Sequence, residues 1–154
     1  MASLKAIAAA AKVAMQPGDG RMVPVHDKAV LGAAAGGGLG TPAVGDTIDF
    51  YVPAGTKLLD LAFVHDDCDT GTTFAASIGY RPVSAADGPL AANATYFTPA
   101  TAFGQVAGRV EMTFKPITFE QDVYITLTVT AAPTGIAGNP EIHLVGLCQA
   151  VGAK

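Results

Sequence analysis

Between Gly55 and Tyr80 the chain reads GTKLLDLAFVHDDCDTGTTFAASIGY, and this stretch limits the fold more than any other. Leu59, Leu61 and Phe63 share one parity, with Lys57 and His65 at the ends. After a polar break, Phe74, Ala76, Ile78 and Tyr80 share a parity, against Thr73, Ala75, Ser77 and Gly79. Successive side chains of a strand point to opposite faces, so a period of two gathers each apolar set on one face. The break itself, Asp66-Asp67-Cys68-Asp69-Thr70-Gly71, is made of turn formers. The stretch predicts two antiparallel strands joined by an acidic loop.

The alternation recurs downstream. Ile48, Phe50 and Val52 form one apolar set, Val110, Met112 and Phe114 a second, and Val123, Ile125, Leu127 and Val129 a third. The uncharged face Thr126/Thr128/Thr130 is either solvated or an interface. A last strand, Glu141 to Gln149, is apolar on both faces, with Ile142 and Leu144 on one and Val145 and Leu147 on the other. Such a strand is either central in its sheet or covered by another subunit, the central position being the simpler reading. Arg81 to Ala107 is irregular and holds Pro82, Pro89 and Pro99. No helical period of useful length follows residue 15. Short alternating strands spaced by Gly and Pro turns predict an all-β fold, an antiparallel β-sandwich or barrel; buried parallel strands would read as continuous apolar runs.

The first forty residues read differently. Residues 1–15 are alanine-rich, which suits a short helix or a tail that orders on binding. Arg21 to Leu31 contains Pro24 and fits an extended or edge strand. Gly32 to Gly40 is a flexible spacer by composition. The expected organisation is an extended N-terminal arm over residues 1–40 and a sandwich domain over residues 41–154. An isolated arm cannot bury Met22, Val23, Val25, Val30 and Leu31, so these five are the candidate interface residues. The alternative is that Met22 to Leu31 is the first strand of the sandwich itself.

Charged residues make up 14% of the chain, against about 25% in ordinary soluble domains. A surface so poor in charge fits a protein that buries its faces against partners, as in a homo-oligomer, because charge is depleted at interface cores. The net charge of −4 argues against nucleic acid as a partner. No apolar run reaches the roughly 18 residues of a membrane span, so no membrane is expected.

Polar clusters offer little chemistry. His65-Asp66-Asp67-Cys68-Asp69 could supply oxygen ligands to calcium, but the spacing is not that of an EF-hand and no Glu closes it. A transition-metal site would need a further ligand. The cluster reads as a loop fixed by Asx-turns. Cys68 and Cys148 are expected to be reduced, and they lack the paired spacing of a zinc site. His26, His65 and His143 fall on the arm, a strand end and a strand, and no G-x-S-x-G elbow is present. Gly36 to Gly38 is no phosphate loop, since no Lys-Ser/Thr follows. The sequence predicts no catalytic residue, cofactor or metal, and a small hydrolase ranks last. Tyr80, Tyr96 and Phe97 are the local candidates for an aromatic carbohydrate- or host-binding surface.

Four stretches carry a resemblance: Pro53 to Asp60, Asp69 to Gly79, Ala94 to Phe97, and Ile142 to Gly146. Their turn-and-strand pattern resembles small structural proteins of tailed bacteriophages, often encoded beside the major capsid protein. The resemblance implies a jelly-roll-like sandwich and a capsid cement or decoration protein. It also implies binding to the major capsid protein on the outer surface of the virion, clamping of neighbouring subunits, and assembly in the host cytoplasm. A homotrimer, ahead of a dimer, comes from the resemblance alone. That family has no catalytic residues to carry over.

Overall fold

The structure, a computed structural model, describes residues 3–5, 22–32, 38–86 and 88–152. Every regular element among them is a strand: β1 (Ser3–Lys5), β2 (Met22–Val30), β3 (Thr47–Val52), β4 (Thr56–His65), β5 (Ala75–Pro82), β6 (Asn93–Ala102), β7 (Gly108–Glu111), β8 (Ile117–Phe119), β9 (Val123–Ala131) and β10 (Glu141–Ala150). The first sheet has the order β1-β3-β9-β5-β6 and the second β2-β10-β4-β7, with β8 also paired to β4. All pairings are antiparallel except β1 with β3.

From β2 onward the chain crosses between sheets in a fixed rhythm: second, first, second, then β5 and β6 in the first, β7 and β8 in the second, β9 in the first, β10 in the second. This is the jelly-roll winding, two interlocked Greek keys. The faces expected to be buried on β3, β5 and β9 form its core. Ile48, Phe50, Val52, Phe74, Ala76, Ile78, Val123, Ile125, Leu127 and Val129 are almost wholly shielded from solvent. They meet Leu61, Phe63, Ile142 and Leu144 of the second sheet, and Phe50 packs edge-on against Phe63 with ring centroids 5.3 Å apart.

The expected division at residue 40 is not where the fold divides. Met22–Val30 pairs along its whole length with β10 as the edge strand of the second sheet. Its alternation puts Val25, Ala29 and Leu31 into the core. The glycine-rich run is the β2–β3 connection and closes on itself: Gly32 and Gly40 exchange two backbone hydrogen bonds, and Leu39 N–H donates to Val30 O. Residues 33–37 lie outside the described residues. At the chain start, 3–5 are extended rather than helical, and the rest of the alanine-rich segment lies outside the described residues.

A second correction concerns β4. Leu147 pairs with Asp60 and Cys148 with Leu58, so Leu59 is left without a partner in a β-bulge. The bulge switches parity. Leu58 joins Leu61 and Phe63 in the core, and Leu59 is half-exposed. The strands come close here, because a Cβ at Gly146 would run into the Asp60 carbonyl. The neighbouring strand breaks at the same level: β7 pairs with Ala62–His65 and β8 with Thr56–Leu58. Of Val110, Met112 and Phe114, only Met112 is fully buried, and the other two pack against the core from its margin.

Candidate interaction surface on the second sheet

The acidic loop is a structural latch. Asp69 is 2% exposed, and its carboxylate accepts from the backbone N–H groups of Gly71, Thr73, Phe74 and Thr134 and from the Thr73 hydroxyl. Asp67 closes an Asx-turn onto Asp69 N–H. Burial disfavours the Asp69 charge, but the N–H donors of Gly71, Phe74, Thr73 and Thr134 outweigh it and hold the carboxyl well below the usual range. Its acceptor sites are thus spent on the protein itself. Among the described residues no group of three or more His, Cys, Asp or Glu side chains is placed to hold a metal ion. Cys68 and Cys148 carry thiols rather than a disulfide, and both are buried. Burial pushes the Cys68 thiol up to about 12, with Asp66 and Asp67 adding to the effect.

The outer face of the first sheet is closed by its own polar groups. Asp49 is fully buried and takes a two-pronged contact from Arg81, with Nη2 at 2.7 Å and Nε at 3.3 Å, plus the Thr126 hydroxyl at 3.1 Å. The guanidinium lies over the Tyr124 ring, 4.9 Å from its centroid. Beside it, burial raises the Tyr51 phenol to about 12, helped by its hydrogen bond to Asp122 and by the charges of Asp122 and Tyr124. Of the threonine face, Thr126 is buried, Thr128 half-buried and Thr130 exposed.

The aromatic trio offers no sugar platform. Tyr80 and Phe97 face the core, and Tyr96 packs against it. Tyr80 meets Tyr96, Phe97 and Phe119 edge-on at 5.2, 6.4 and 5.3 Å, so the rings are consumed by one another. β5 parity turns Tyr80 inward with Ala76 and Ile78.

The second sheet differs. β10 lies between β2 and β4, so it is central, as its inward Ile142 and Leu144 require. Yet its outward Val145 and Leu147 remain half-exposed. Cross-strand register places Pro24 and Asp60 beside Leu147, His26 and Ala62 beside Val145, and Lys28 and Val64 beside His143. Met22 and Val64, 65% and 36% exposed, extend the apolar strip. Around it stand Lys28, Asp60, Arg109, Glu111 and Glu141. An apolar centre within a polar rim is the anatomy of a protein–protein contact. The five expected interface residues therefore separate: Met22 and Val30 lie on this outer face, while Val23, Val25 and Leu31 point into the chain's own core.

One rim group could not be anticipated from the sequence. β2 and β10 bring His26 and His143 together, with nearly parallel rings and His26 Nε2 3.2 Å from His143 Nδ1. His143 Nε2 lies 2.9 Å from Glu141 Oε2, so one ring faces the carboxylate with one nitrogen and the second histidine with the other. Lys28 Nζ reaches the other Glu141 oxygen at 2.5 Å. The Lys28 hydrogen bond, working against some burial and joined by the charges of Lys28 and His143, lowers the Glu141 carboxyl. Such part-exposed pairs add little to stability; here they set the charge pattern of the rim.

No protein-family model matches this sequence, and no curated protein matches it. Among solved structures, a chain in the capsid of Ralstonia phage GP4 matches with a TM-score of 0.73 at 20% identity, covering 99% of this chain and 100% of that one. A chain of the cyanophage Pam1 capsid asymmetric unit matches at 0.61 and 15% identity, over 89% of this chain and 91% of that one. A chain of the acidic stable capsid of Helicobacter pylori bacteriophage KHP30 matches at 0.53 and 13% identity, over 86% and 94%. This chain therefore shares its β-sandwich fold with chains in the capsids of three phages.

Proposed function

We propose that this chain is a structural protein of a phage capsid and that it acts there as a cement or decoration protein. The observation that carries the reading is the fold shared with a chain of the GP4 capsid over nearly the full length of both. In this role the outer face of the second sheet, centred on Pro24, Val64, Val145 and Leu147, lies on the capsid exterior and spans the boundary between neighbouring subunits. Burial of that strip makes separation of the subunits cost the lost contacts. The low charge of the chain supports the same reading. A homotrimer suits a position on a local threefold axis, since oligomers close by symmetry. The alternative, a carbohydrate- or host-binding module of a phage fibre or tail, has lost its aromatic platform to the core.

The test is co-sedimentation with capsids assembled from the major capsid protein of the same genome. Saturable binding, together with a higher temperature for capsid disruption, is the expected result. Capsids that neither bind the protein nor gain stability from it would overturn the reading. Sedimentation of the free protein decides the oligomer, with a trimer expected.

A further inference from the structure

Where β8 runs toward β9, Thr118, Phe119, Glu120 and Gln121 form one wall of a cleft of about 340 Å³, completed by Pro89 and Leu90. Gln121 is 8% exposed, and its Nε2 is buried without a hydrogen-bond acceptor, the one such side-chain atom among the described residues. Buried donors are almost always paired, and leaving one unpaired disfavours the free chain. The β5–β6 loop also lies close to the carboxamide: a Cβ at Gly88 would meet Gln121 Oε1, so a larger residue there would have to displace the amide. The cleft adjoins the proposed contact face, because Thr118 pairs with Lys57, which stands beside Gln149 and Met22 in the first row of that face.

We propose that this cleft receives an apolar side chain from an extended segment of the capsid partner, and that Gln121 Nε2–H donates to a main-chain carbonyl of that segment. The inference rests on the capsid reading and adds the point of engagement. Sites for small soluble ligands converge several polar groups on the ligand. Here one buried amide donor stands beside an apolar wall of Phe119, Leu90 and Pro89, and the other two polar side chains, Thr118 and Glu120, are exposed at the rim rather than converging inside. An extended peptide brings the matching pair, a carbonyl acceptor and a side chain next to it. The last torsion of a glutamine is soft, so Nε2 can turn into the cleft. Binding then supplies the acceptor that the free chain lacks.

Two variants test this against capsids in the co-sedimentation assay. Gln121→Met keeps the length and removes the unpaired donor; it should raise the melting temperature of the free protein and weaken capsid binding tenfold or more. Thr118→Arg, an exposed position at the mouth, should leave the melting temperature unchanged and weaken binding similarly. If wild type binds capsids and both variants bind equally well, the cleft proposal alone fails. A lower melting temperature for Gln121→Met would also overturn it, since the amide would then have a partner in the free chain. Loss of self-association with capsid binding intact would assign the cleft to a second copy and overturn it too. If wild type itself does not bind, the capsid reading and this inference fall together.

Discussion

Phe103 bolts the two sheets together at the end that carries the acidic loop, and its truncation gives a sharp test of the packing. It follows β6 and is 1% exposed. Its ring meets Phe63 edge-on at 6.0 Å and Phe74 edge-on at 5.9 Å, and tilts against His65 at 4.6 Å. Its N–H donates to Phe74 O. Phe103→Ala deletes a fully buried ring whose neighbours belong to two sheets and cannot both collapse, so it should cost about 3–5 kcal/mol. Phe103→Leu retains most of the apolar volume and loses the ring–ring geometry, worth about 0.5–1.5 kcal/mol per pair, so about 1–3 kcal/mol is expected. At about 2–4 °C per kcal/mol for a domain of this size, the alanine variant should melt at least about 6 °C lower. The chain has no tryptophan, so urea unfolding is best followed by far-UV circular dichroism, with an unchanged slope confirming that stability alone has changed. A loss below about 1 kcal/mol for Phe103→Ala, outside the range for a buried phenylalanine, would refute the bridging role.

Further outcomes follow from other contacts. Arg81→Met leaves the fully buried Asp49 without its guanidinium, and breaking such a pair should cost on the order of 3 kcal/mol in urea unfolding; a neutral result would mean the first sheet's outer face is not closed by this pair. The folded-state carboxyl of Asp69 lies below its ordinary value of 3.8, so its contribution is present above that pH and is lost as pH falls below it. Asp69→Asn should therefore be less stable than wild type at neutral pH and show a flatter acid limb between about pH 4 and lower values; parallel curves for the two proteins would contradict the latch. Val145→Glu and Leu147→Glu, on half-exposed outward positions, should fold with nearly the wild-type melting temperature and lose capsid co-sedimentation; retained binding would move the contact to another face.

What the sequence disclosed depended on whether the cause was local. The two-residue period on β3, β5 and β9 names their core side chains directly, because strand pleating alone sets it. Leu59 was misplaced because the bulge belongs to the pairing with β10, where Gly146 lets the strands approach, and no local signal marks it. β2 was legible in principle: Val23, Val25, Ala29 and Leu31 share one parity. The glycine run after it suggested detachment, whereas it serves as a loop that returns the chain to the sandwich. The final strand's two apolar faces allowed either a central position or cover by another subunit; β10 is central, with Ile142 and Leu144 inward, while Val145 and Leu147 stay half-exposed. The His26–His143 contact and the buried Gln121 amide depend on long-range register, so only the folded chain reveals them.

The central claim is that this chain sits on the outside of a phage capsid and joins its subunits through the second sheet. A cryo-electron microscopy reconstruction of capsids saturated with the protein tests it most directly. The account predicts density for the jelly roll on the exterior, bridging adjacent subunits, with Val145 and Leu147 turned toward the shell. Density confined to the interior, the tail or a fibre, or a jelly roll presenting its second sheet to solvent, would contradict it.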